Sequence, residues 1–358
     1  MKRHVLALAV PCLLALAACQ TAGPPKGGET IDVGLTTGFA ANVVVDGLRN
    51  PSGISFSPRG ALTIADSGNG RVLAWTGGEP TELVTDFQTE FWKVDAKTGT
   101  KRFQLGPLSA VWFLPPQGTP GLAVSDSGWA DGEDRIRVYP GKAPADKGFA
   151  TNSIPPTSDA AGDNGEGNFT GMCLTPEGDG LFVCGQGTDA RTWVLHCDLK
   201  TLTLSTFASA DDWGIDVNSP MQCRLGIDGN LYVLYSGTGG KEDGRIVKWN
   251  SATGALMAQW SLPGLVDPMG MDWIPGTNGT ELAVVDNNWA LTEVLEGKLA
   301  RVTLSEDGDE AKVEVLATTL RGPTACEFGP DGRLYVAELG AQFDTDQGRV
   351  IAIDGFQK

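Results

Sequence analysis

The sequence predicts an all-β chain folded as a six-bladed β-propeller of four-stranded antiparallel blades, its ring closed by the N-terminal strand. Three observations carry this expectation. The 358 residues include 48 glycines, many short runs rich in β-branched and aromatic residues, and few apolar positions at helical spacing. A unit of strand, tight turn and strand recurs six times, and a repeat of that length marks a propeller. The two ends of the chain also fit each other, one supplying the strand that the other lacks.

The first unit runs from Pro51, Ser52, Gly53 and Ile54 into a turn at Ser57 to Gly60. A second strand then ends at Asp66, and Arg71 opens a third. The pattern recurs from Pro107, more weakly from Phe169, and again from Pro220, Pro268 and Pro323. Second strands begin at Leu62, Leu122, Leu181, Leu231, Leu282 and Leu334. Four places later stand Asp66, Asp126, Gly185, Tyr235, Asp286 and Glu338. Outer strands are expected at 81–87, 149–154, 202–208, 255–262 and 311–318. The sixth unit has none after its third strand, but residues 41–48 precede Pro51 as 313–320 precede Pro323. They are expected to complete the last blade, which removes a long open sheet edge.

These units resemble NHL repeats, within the broader group of six-bladed, gluconolactonase-like propellers. The likeness is clearest in Pro51, Ser52, Gly53 and Ile54 and in the run Ile64, Ala65, Asp66, Ser67, Gly68 and Asn69. It covers nearly the whole mature chain and specifies fold rather than function, because propellers host many activities. The resemblance implies that the Asp ending a second strand holds its loop and meets the Arg opening the third. Gluconolactonase-like hydrolases hold a divalent metal at the axis, on Glu, Asp or Asn just before the core of the first strand. The comparable positions here are Ser52, Leu108, Thr170, Met221, Met269 and Thr324, with neither a carboxylate nor a carboxamide among them.

Residues 1–18 read as an export signal: Lys2 and Arg3 lead into an apolar run from Val5 to Leu16, too short to span a bilayer. Leu16, Ala17, Ala18 and Cys19 resemble a bacterial lipobox, so Cys19 is expected to carry a lipid. Gln20 in place of an Asp points to the outer membrane, facing the periplasm or the cell surface. Residues 19–34 read as a flexible tether and 35–358 as the propeller. The net charge of −17 excludes nucleic acid as a partner and leaves the lipid as the sole membrane attachment. Cys173, Cys184, Cys197, Cys223 and Cys326 follow, an odd number. Cys173 and Cys184 are placed for a disulfide on consecutive strands, and buried, inert thiols are the other reading.

Candidate site residues fall into groups. The long insertions at 88–106, 156–168, 211–219, 236–243, 287–297 and 339–348 all decorate one rim, where binding is expected. That rim carries Trp92, Trp129, Trp213 and Trp289, with Asp126 and Asp286 three residues before two of them, suited to stacking on a sugar or flat ring. Asp286 with Asn287, and Asp163 with Glu166, are the candidate oxygen ligands for calcium. Arg224, Asp272 and Glu327 share one repeat position in adjacent first strands, as an ion-pair set or an acid/base group. His196 is the one histidine after the leader, so no histidine metal cluster forms. The reading that follows is a membrane-anchored recognition module for a protein, glycan or small molecule, leaning away from catalysis. The alternative is a small-molecule hydrolase with an atypical axial site. Replacing Cys19 with Ser should abolish lipidation and release a folded soluble domain, checked by metabolic labelling with palmitate. Label retained on the variant would remove the anchor.

Overall fold

Runs such as Leu62–Asp66, Leu231–Tyr235 and Leu334–Glu338 are buried at every position. Strands apolar on both sides must be covered on both faces, and here neighbouring blades cover them. The structure is a computed structural model that describes residues 28–94, 96–115, 118–130, 132–141, 149–150, 166–187, 193–288 and 296–356. The leader with Cys19, Asp163 and Trp289 lie outside the described residues. Glu166 opens a strand, Glu166–Leu174.

Six antiparallel blades follow one another around the ring, each ordered first to fourth strand from the axis outward. Blade one consists of Pro51–Phe56, Leu62–Asp66, Arg71–Trp75 and Thr81–Val84. Blades two to five begin with Pro107–Phe113, Glu166–Leu174, Pro220–Leu225 and Pro268–Trp273. Blade six is built from Pro323–Phe328, Leu334–Glu338 and Gly348–Asp354, and Ala40–Leu48 adds its outer strand as expected. The core is divided into six apolar clusters, one between each pair of adjacent blades. All five cysteines among the described residues are free and buried, and Cys184 faces Gly171 across the ladder rather than Cys173.

In blades one, five and six the carboxylate near the end of the second strand is fully buried and ties the blade to the connection entering it. Asp66 accepts the Arg49 amide at 2.7 Å and pairs with Arg71 at 2.7 Å. Glu338 likewise accepts the Arg321 amide at 2.7 Å and pairs with Arg349 at 2.5 Å. Each of these two buried charges thus has both a cation and an amide N–H. First strands crowd at the axis, and in alternate blades a glycine allows it. A Cβ on Gly53 would lie 2.4 Å from the Leu108 carbonyl oxygen, and one on Gly171 would lie 2.5 Å from that of Met221.

Removing residues 31–48 should lower the melting temperature by about 10 °C, because buried Ala41, Val45 and Leu48 leave the closing seam. Removing residues 20–28 should leave it nearly unchanged. Equal melting of the two truncations, read by circular dichroism, would contradict closure by this strand.

Candidate active site

Alternation along a strand sends successive side chains to opposite faces, so a regular first strand would direct few of them along the axis. A β-bulge changes this. In blades one, four, five and six the register slips by one residue between the first and third positions of the first strand. Blades two and three are irregular at the same place. The displaced residues are Ser52, Leu108, Thr170, Met221, Met269 and Thr324, and together they floor a cavity at the axis. Bulges re-aim side chains in this way near functional sites.

The three hydroxyls of the floor also stitch the ring. Ser52 Oγ donates to the Pro107 carbonyl at 3.2 Å, Thr170 Oγ1 to Pro220 at 2.9 Å and Thr324 Oγ1 to Pro51 at 2.6 Å. In blade five, where Met269 cannot donate, Asn287 Nδ2 reaches the Pro323 carbonyl at 2.9 Å. Protons committed to carbonyls leave these hydroxyls facing the cavity as acceptors.

The walls come from the inflated connections of the decorated rim, and the cavity holds about 600 Å³. A hairpin, Glu90–Val94 with Lys101–Leu105, contributes Trp92, Phe103 and Leu105. Asp344 clamps it: one oxygen accepts the Gln104 amide at 2.7 Å and Asn50 Nδ2 at 2.6 Å, the other the Phe103 amide at 2.9 Å. Rings of Phe103 and Phe343 meet at 4.2 Å. Opposite stand Asp211, Ile215 and Asp216 of another insertion. Asn168 is placed by Asp134, whose Oδ2 accepts the Asn168 amide at 2.7 Å. Burial raises the Asp134 carboxyl to about 7, against the pull of the Asn168 and Trp129 amides.

Sequence reasoning had no signal for the clamp, since Asn50, Phe103 and Asp344 belong to no repeat motif. Of the four rim tryptophans, Trp92 lines the cavity and is 37% exposed. Trp213 is half exposed on a short 3-10 turn beside it. Trp129 lies off the cavity under the Arg135 guanidinium, 4.3 Å from its ring centre. Asp126 is buried against Arg137 at 2.6 Å. Asp286 is buried too, accepting the Val266 and Asp267 amides with Lys298 at 3.8 Å.

Arg224, Asp272 and Glu327 do come together. Arg224 Nε reaches Asp272 Oδ1 at 3.1 Å and Nη2 reaches Glu327 Oε2 at 3.0 Å. They stand three residues beyond Met221, Met269 and Thr324, about 10 Å along the strands from the floor, and do not line the cavity. One guanidinium faces two carboxylates. Burial opposes the charge on Arg224, but Asp272 and Glu327 hold its pKa above the ordinary value. Burial pushes Glu327 up to about 7, with Arg224 pulling down and Asp272 adding to the rise.

No protein-family model matches the sequence, and no curated protein is significantly similar to it. Solved structures share the fold. A Thermus thermophilus protein described as an oxidoreductase, a glucose dehydrogenase, is 15% identical with a TM-score of 0.59, over 88% of this chain and 100% of that one. The PQQ-bound aldose sugar dehydrogenase of Streptomyces coelicolor is 12% identical with a TM-score of 0.58, over 89% and 99%. The calcium structure of a Trichoderma reesei carbohydrate-active enzyme of family AA12 is 11% identical with a TM-score of 0.57, over 93% and 98%. At these identities the likeness establishes the six-bladed fold.

These neighbours overturn the expectation of a recognition module leaning away from catalysis, because solved structures that share the architecture are described as sugar dehydrogenases. The cavity at the axis is concave, as small-molecule sites are. The cofactors named with the neighbours fare differently against the residues here. PQQ is a tricarboxylate, and buried anions need cations. No Lys, Arg or His is among the described residues lining the cavity, while Asp211 and Asp216 are. The residues present do not fit it. Calcium is compatible with the comparisons, but no group of three His, Cys, Asp or Glu gathers among the described residues to hold it.

Glu327 carries a pH prediction. Its folded pKa of about 7 exceeds the ordinary value of about 4.3, so the folded state holds the proton more tightly. The stability from this proton is fully present below the unfolded pKa and is lost as pH rises through the folded one. Glu327→Gln should therefore flatten the fall in melting temperature between about pH 4.5 and 7. Parallel melts of wild type and variant with the same pH slope would count against a raised Glu327.

Proposed function

We propose that this chain is an oxidoreductase acting on a small, hydroxyl-bearing molecule of sugar size in the axial cavity. The observation that carries the reading is the cavity's make-up: about 600 Å³ with Trp92, Phe103 and Leu105 on one wall and hydroxyl and carboxamide groups at the floor. Apolar walls suit the carbon face of a sugar ring, and the polar floor suits its hydroxyls. The reaction class is supported by the dehydrogenases of the same fold. The repeat itself reads as NHL-like. The leader supports export with a lipid on Cys19, which would hold the enzyme at the cell envelope with its decorated rim free.

The test is oxidation of a panel of aldoses by the purified protein with an artificial electron acceptor, with and without added PQQ and calcium. Turnover of at least one aldose to its lactone is expected without added PQQ, the two electrons and two protons passing to the added acceptor. Trp92→Ala should raise KM about 2- to 10-fold through lost stacking, with the fold intact. Failure to oxidise any aldose under either condition refutes the reading.

A further inference from the structure

The cavity offers its occupant acceptors and negative charge. Asn287 is 1% exposed and Asn168 is 8% exposed, both line the cavity, and the side-chain oxygen of each is buried without a hydrogen-bond partner. A buried acceptor left unpaired is costly, so each calls for a donor. The floor hydroxyls have spent their protons on neighbouring carbonyls. Asp211 and Asp216 line the cavity, and no cation among the described residues pairs with either. Trp92 and Phe103 meet edge to face at 5.8 Å, forming an aromatic corner. The nearest cation on that wall, Lys93, already lies 4.7 Å from the Trp92 ring centre, the geometry in which such rings attract an ammonium.

We propose that the axial cavity selects its occupant by charge, taking a hydroxylated molecule that bears a protonated amine, such as an amino sugar, over neutral or anionic analogues. Asp211 and Asp216 stand exposed at the cavity and attract an ammonium, and ammonium or hydroxyl groups supply the donors that the Asn168 and Asn287 carboxamides lack when these turn toward the occupant. The same arrangement repels carboxylates, the tricarboxylate PQQ included. This deepens the proposed function and rests on the same cavity, but charge selection is measured by binding rather than turnover.

Isothermal titration of the full mature chain with glucosamine, glucose and glucuronate, at a pH where the amine is protonated, reads the preference directly. Cyclohexylammonium and cyclohexanecarboxylate read it without any sugar, so the charge selection stands or falls separately from sugar oxidation. The amine of each set should bind about tenfold or more tightly than its carboxylate, and Asp211→Asn with Asp216→Asn should reduce that gap to about twofold. Glucosamine should quench or shift Trp92 fluorescence, a response lost in Trp92→Phe. Carboxylates or PQQ binding as tightly as the amines would overturn the proposal. So would an amine preference that survives in the double variant, a failure of both amines to bind, or calcium alone producing the same response at Trp92.

Discussion

A propeller needs its first strands packed around an axis too narrow for six regular strands to fill with side chains. The recurrent β-bulge at the second position of those strands resolves the conflict. It turns Ser52, Leu108, Thr170, Met221, Met269 and Thr324 into the axial space, at the cost of one ladder position per blade. The polarity lost from the ladder is recovered between blades, where hydroxyls and the Asn287 amide reach the carbonyl that starts the next first strand. The contacts that keep the ring in register therefore also fix which lone pairs face the cavity.

The upper half of the site obeys a different logic. Its walls are insertions, and the hairpin carrying Trp92 and Phe103 is tied down by Asp344 of another insertion and by Asn50, which leads into blade one. Neighbouring structures share the blades at 11–15% identity, while the charge and shape of this cavity belong to loops with no repeat. That division explains why the ring can match a PQQ-bound protein in fold while its own cavity presents carboxylates.

The ring was legible because its signal is periodic and doubled: Pro-led first strands and Asp- or Glu-ended second strands repeat, and 41–48 mirrors 313–320. The closeness of Arg224, Asp272 and Glu327 followed from the same register, since equal repeat positions in adjacent blades must meet. The bulge left no trace in composition, so Ser52 and Thr170 could be aligned with metal-binding positions without revealing that their hydroxyls serve the next blade. Loop tryptophans were the least legible. Trp92 and Trp129 sit in similar acidic company, yet one lines the cavity and the other lies beneath Arg135, a difference set by how each insertion folds back. The expectation of a non-catalytic rim came from the absence of a familiar ligand set, and a neutral floor carried no sequence signature to oppose it.

Closure by Ala40–Leu48 also governs how the molecule is made. Leu48 pairs with Gly348 and Ala40 with Asp354, so the seam joins residues from opposite ends of the chain. Five blades can assemble from local hairpins, but the sixth must wait until residues 348–354 have been synthesised and find a partner made long before. Pairings so distant in sequence are slow to form. Until then two sheet edges remain unpaired, one of them the apolar strand 348–354, and each is a template for another chain in the same state. The period of greatest danger for this protein is thus the interval before its ends meet, and crowding or high expression should tell first as misassembly rather than as loss of a finished fold.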